Sequence, residues 1–173
     1  MTGRGMPRLE PGRLCTKPLA RPWNTAASSR ALYEESLAIA RVLDNRSTIA
    51  DVLNSLGSLA QEQEDYPSAV RLYRESIAIR NELGDRGITV FTLVAIAEVL
   101  AAVGNIINAA RIWGLADRMQ KEVGSYWSPS ELAQYSQRLT AARMAIEDDA
   151  AFDKAWLEGG ALTLAQVLVL VSE

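Results

Sequence analysis

Three groupings of acidic side chains in this 173-residue chain have the residue types that could do chemistry: Glu62, Glu64 and Asp65; Asp148 and Asp149; and Glu98, the one carboxylate in the apolar run from Ile88 to Ile107. Paired carboxylates serve general acid–base catalysis or hold calcium, but neither cluster alternates its oxygen ligands around a central glycine as a calcium loop must. Both read as solvated helix ends, because carboxylates favour the positive start of a following helix. Glu98 could be an acid of raised pKa, yet one carboxylate without a partner acid, base or cofactor makes no mechanism. The chain has no histidine, so it has no Ser-His-Asp relay, no imidazole ligand and no side chain that ordinarily titrates near neutrality. Cys15 is alone and can build neither an internal disulfide nor a thiolate zinc site. No glycine-rich loop ending in Gly-Lys-Ser/Thr is present for phosphate. No catalytic, cofactor-binding or metal residue is assigned, and a non-catalytic function is expected.

The scaffold that carries these groups is globular by composition, with 49% hydrophobic and 23% charged residues and a net charge of −3. The nearly unbroken apolar stretch from Ala161 to Val171 is interrupted by Thr163 and Gln166 and falls short of the roughly 20 residues a spanning helix needs. The first residues show no apolar core of a secretory signal, so a cytoplasmic location is expected. Residues 1–25 hold five basic side chains (Arg4, Arg8, Arg13, Lys17, Arg21) against Glu10, and four of the six prolines. They read as an extended or disordered basic arm. Tethering to nucleic acid through this arm, by release of counterions from phosphate, is the less favoured function.

From residue 26 onward the chain repeats itself. Leu32-Tyr33-Glu34-Glu35-Ser36-Leu37-Ala38-Ile39 returns forty positions later as Leu72-Tyr73-Arg74-Glu75-Ser76-Ile77-Ala78-Ile79, and again, more loosely, as Ile112-Trp113-Gly114-Leu115-Ala116. Between these, Leu56-Gly57 is answered by Ile96-Ala97 and Asp65-Tyr66 by Asn105-Ile106. Ala69, Leu72, Tyr73, Ser76 and Ile77 recur at the three-and-four spacing that lines one face of a helix. Each repeat is therefore a helix pair. Helices are expected at about 27–43, 48–63, 66–82, 87–103, 106–123, 129–146, 149–158 and 163–171, with no strand. Asp65 and Asn105 are expected to cap helices, Gly84, Gly104 and Gly124 to end them, and Ser128-Pro129-Ser130-Glu131 and Thr163 with Gln166 to form capping boxes. Met119 and Met144 are expected in the core, and Trp127 and Trp156 inside a terminal cap.

Leu56-Gly57, Ala69, Tyr73 and small Ser76, followed by Ala97, Ala109, Trp113 and Ala116 one repeat later, resemble the tetratricopeptide repeat. The resemblance implies an all-α, right-handed superhelix of helical hairpins over residues 26–173, with repeats at about 26–46, 47–86 and 87–126 and a C-terminal helical cap at 127–173. The period of forty exceeds the commoner 34, and Ala60 and Leu100 stand where an aromatic is usual. Gly57, Ala69, Ala97 and Ala109 would let helix axes approach while Tyr73 or Trp113 fills the space beyond. Ser125 to Glu173, with Phe152, Ala155-Trp156, Glu158-Gly159 and Ala161-Leu162-Thr163-Leu164, resembles the end of the C-terminal repeat region of bacterial regulators that join a signalling ATPase to a LuxR-type DNA-binding domain. That implies a fragment of a transcriptional regulator whose part is protein interaction or signal sensing; a free-standing adaptor or scaffold is the alternative.

By the geometry of that repeat, Asn54, Ser58 and Gln61 would line an inner groove from one pair, and Val94, Glu98 and Ala101 from the next. No lysine or arginine occurs from 47 to 70 or from 87 to 110, which makes the groove neutral to acidic. It would repel phosphate and suit a neutral or basic peptide or helix. The helix at 27–43 has no first-helix partner ahead of it, so Leu32, Leu37 and Val42 are expected to leave a face open, covered by Leu19 and Trp23 or by a second subunit.

Overall fold

A turn recurs every twenty residues. The computed structural model describes residues 26–124, 127–146 and 148–171; the N-terminal arm, with Cys15, Leu19 and Trp23, lies outside them. Asp44, Glu64, Gly84, Gly104 and Gly124 all have positive φ, between 48° and 87°. In the first four turns the following amide donates back to a carbonyl five residues earlier: Asn45 to Ala40, Asp65 to Ala60, Asp85 to Arg80 and Asn105 to Leu100, at 2.8–2.9 Å. This left-handed closure satisfies carbonyls that the helix end would orphan. It also delivers a polar residue straight to the start of the next helix.

The helices so bounded are α1 (Ala26–Val42), α2 (Arg46–Glu62), α3 (Tyr66–Leu83), α4 (Arg86–Ala102), α5 (Ile106–Val123), α6 (Pro129–Met144), α7 (Asp149–Ala161) and α8 (Leu164–Leu170). No strand occurs among the described residues. The architecture is an all-α array of helical repeats. Asn45, Asp65 and Asp85 cap α2, α3 and α4 by accepting from the amides of Thr48, Ser68 and Ile88. Asn105 does not: its side chain makes no capping bond to α5. Both expected capping boxes are present, Ser128 with Glu131 on α6 and Thr163 with Gln166 on α8.

Packing follows the small residues. Gly57 of α2 lies flat against the Tyr73 ring of α3, so close that a Cβ there would sit 2.7 Å from ring carbons. Ser76, fully buried, donates to the Ala50 carbonyl of α2 at 2.7 Å. Arg80, only 2% exposed, reaches Asp51 of α2 (2.5 Å) and Asp85 at the start of α4 (2.9 Å), tying three helices through one guanidinium. Its place on the buried stripe, three residues beyond Ile77, is a signal in the sequence. Helix α4, enclosed by α2, α3 and α5, buries apolar side chains around most of its circumference. Arg46–Glu82 and Arg86–Glu122 repeat one exposed ion pair forty residues apart.

The array ends differently from how it runs. Helix α7 docks on α5 through glycine, with Gly159 against the Arg111 carbonyl and Gly114 against that of Trp156. Ala155 and Phe152 of α7 are buried there beside Trp113. Helix α6 does not pair with α7 in the way α2 pairs with α3. Gln137, exposed on α6, stands forty residues after the buried Ala97. Ala142 is the one residue of α6 that is buried, and Met144, expected in the core, is 82% exposed because α6 ends beyond the packed surface.

Candidate partner-binding groove

The two sets of groove residues meet different fates. On α2, the half-buried Asn54 accepts from Thr92 of α4 at 3.0 Å. Ser58 lies 3.2 Å from the Tyr73 hydroxyl, which donates to Gln61 at 2.9 Å. The three form one polar row along α2, braced from behind by α3 and from the side by α4. Burial pushes the Tyr73 hydroxyl above its ordinary range, and the carboxylates of Glu98 and Glu62 push the same way. Glu98 of α4 therefore belongs to the electrostatic neighbourhood of the α2 row.

On α4, Val94 is buried, while Glu98 and Ala101 are half-buried. Helix α6 lies over this face. Trp127, just ahead of α6, stacks on Phe91 of α4 with centroids 5.3 Å apart, and Tyr135 meets Trp127 edge-on at 4.8 Å. Arg138 of α6 donates to Glu98 at 2.5 Å. Ala101 lies outside this contact and packs against the core. The cation that Glu98 meets thus comes from a helix outside the repeated pairs; Arg46 and Arg86, at the starts of α2 and α4, pair with Glu82 and Glu122 instead.

Tyr135 has no hydrogen-bond partner for its buried hydroxyl among the described residues. Burial pushes its pKa well above the usual tyrosine range, and Asp117 and Glu98 add to the shift. Between α4 and α6 a cleft of about 160 Å³ remains open. Among the described residues no group of three or more His, Cys, Asp or Glu is placed to hold a metal ion.

The packing residues occupy the interior: Leu56, Gly57, Ala69, Tyr73, Ala97, Ala109, Trp113 and Ala116 are all buried. Tyr33, equivalent to Tyr73 forty residues earlier, is 37% exposed, and Leu32, Ile39 and Val42 of α1, with Leu43 just after it, are exposed too. Leu37 alone of the expected α1 trio is buried, against α2. A family model of the tetratricopeptide repeat matches residues 26–82. No curated protein and no solved structure matches the chain. The matched segment runs from α1 almost to the end of α3, and α4 with α5 repeats its turn, its small residues and its buried aromatic. Tetratricopeptide repeats mediate protein–protein interaction and form a non-catalytic interaction fold. No helix among the described residues is long and apolar enough to cross a membrane.

Phe91, Tyr135 and Arg138 escaped the sequence reading, and Trp127 was expected only as a filler of the cap. Arg138 did carry a signal, since it lies forty residues after Glu98. Pairing them, however, requires knowing that α6 crosses α4.

Proposed function

We propose that this tetratricopeptide-like array recognises a protein partner through the face built from Asn54, Ser58 and Gln61 of α2 and Val94, Glu98 and Ala101 of α4. The partner segment is neutral to basic. One observation carries the proposal: a face with no lysine or arginine of its own, since Arg46 and Arg86 at the starts of α2 and α4 pair with Glu82 and Glu122 instead, already accepts an arginine, Arg138, from a helix outside the repeated pairs. Opposite charge at such a face selects partners and orients their approach. The polar row on α2 adds hydrogen-bonding groups held in place by Tyr73 and Thr92.

We further propose that the chain is the interaction or signal-sensing region of a larger cytoplasmic regulator of bacterial transcription. The resemblance of residues 125–173 to the ends of such regulators supports this. An upstream reading frame for an ATPase module would be the expected genomic context, and a stop codon in its place would instead favour a free-standing adaptor.

The test is capture of partner by the intact chain with a photo-crosslinking residue at Ser58, compared with one at the outward-facing Arg71. Crosslinks at Ser58 that Glu98→Lys and Asn54→Ala abolish, with helicity unchanged, are the expected result. Crosslinks at Arg71 alone would move the contact to the other face.

A further inference from the structure

Resting on the groove reading above and narrowing it, we propose that the face of α4 beneath α6 is the docking site for a partner helix that bears an aromatic side chain and, one turn further on, an arginine or lysine. In this structure α6 is its internal stand-in. Two contacts between α4 and the α6 segment, and one within that segment, define the chemistry. Phe91 offers an aromatic plate, on which Trp127 stacks. Tyr135 stands edge-on against that tryptophan. Three residues beyond Tyr135, Arg138 meets the half-buried Glu98. Aromatic and arginine side chains are the ones that dominate interface energetics when they seat in such places.

The stand-in fits its seat poorly, and this is what makes it replaceable. Helix α6 buries Ala142 alone, leaves Leu132 exposed, and carries a buried Tyr135 hydroxyl with no partner among the described residues. An unsatisfied buried hydroxyl works against docking. The open cleft lies between Val94, Ala95 and Glu98 on one wall and Gln134, Tyr135 and Arg138 on the other. Helix α7, by contrast, is seated by direct backbone contact, with Gly159 against the Arg111 carbonyl. A partner helix with phenylalanine at the Tyr135 place would lose the orphaned hydroxyl and keep the arginine contact. The neighbouring row on α2 has no lysine or arginine to oppose a basic helix.

The probe is a fluorescent synthetic peptide of residues 127–146, titrated into the intact chain. A seat that is filled internally lowers apparent affinity by the fraction of molecules in which it is empty. The Trp127→Ala/Arg138→Ala chain, with α6 loosened, should bind the peptide about tenfold more tightly than wild type, or better. Adding Glu98→Lys to that chain, or Arg138→Glu to the peptide, should abolish binding. Tyr135→Phe in the host should do the opposite of loosening and weaken peptide binding below wild type, which decides the matter even if the double variant folds badly. Equal affinity in the loosened and wild-type chains, or indifference to Glu98→Lys, overturns the proposal. So does a wild-type dimer that Arg138→Ala dissolves, which would mean α6 exchanged between copies. Refusal of the peptide while Ser58 still crosslinks a partner sinks the stand-in and leaves the groove standing; crosslinks confined to Arg71 sink the groove itself.

Discussion

Gly114 of α5 and Trp156 of α7 touch backbone to backbone: a Cβ built on Gly114 would lie 2.0 Å from the Trp156 carbonyl oxygen. Gly159 repeats the relationship in reverse: a Cβ built on it would lie 1.8 Å from the Arg111 carbonyl oxygen. Neither oxygen can move without moving its helix. Alanine ordinarily improves a helix over glycine by about 1 kcal/mol, but overpacking against backbone costs about 1–3 kcal/mol or more. The clash wins. Gly114→Ala and Gly159→Ala are each expected to destabilise the chain and free α7, read as a lower denaturant midpoint and faster amide exchange in α7. A stabilised variant would contradict the close approach.

Arg80 is a buried cation held by two carboxylates that are themselves partly in water. The substitution Arg80→Met should cost about 1 kcal/mol, because an apolar chain of similar length refills the space. Removing both negative charges, Asp51→Asn with Asp85→Asn, which leaves an oxygen to cap α4, strands the charge and should cost about 3 kcal/mol or more. Chemical denaturation of the two variants gives the order directly, and the reverse order would refute the assignment.

Glu64 holds a positive φ of 60° at a turn where Gly84 and Gly104 do so without strain. A left-handed residue with a Cβ costs about 1–2 kcal/mol. Glu64→Gly should therefore raise stability by about 1 kcal/mol, and Gly84→Ala should lower it by a similar amount. Thermal midpoints moving the other way would show that the turns do not behave alike.

The charge of the α6 region sets two limits of pH. Glu131 is held below its ordinary value of 4.5 by its bonds with the side chain and backbone of Ser128. Its contribution is complete above 4.5 and is lost as pH falls through the lower folded value. Tyr135, raised from 10.0 first by burial and then by Asp117 and Glu98, contributes fully below about 10 and loses that contribution as pH rises further, since the released phenol ionises first. Denaturant midpoints from about pH 3 to 11 should fall at both ends. Glu131→Gln should flatten the acid limb and Tyr135→Phe the alkaline one; limbs unchanged by these substitutions would assign them to other groups.

Much of the array was legible because its signals are local. The helix boundaries follow the expected ones within about three residues, since a 3.6-residue stripe, a capping side chain and a left-handed turn are each decided by neighbours in sequence. Glycine pointed to three of the positive-φ turns, whereas Asp44 and Glu64 hid two more behind ordinary side chains. Asn105 has a capping side chain without a capping bond. Met144 has an apolar side chain without a core.

What the letters alone determined is a chain of paired helices, forty residues to the pair, with cation-poor faces on α2 and α4. The tertiary structure decided where α6 and α7 go. It sent α7 to α5, where glycines allow backbone contact, and left α6 on α4 with Arg138 against Glu98. The reason is physical: local pattern decides which side of a helix is apolar, but the surface that side meets depends on what the other helices have already covered and on how near each backbone can come.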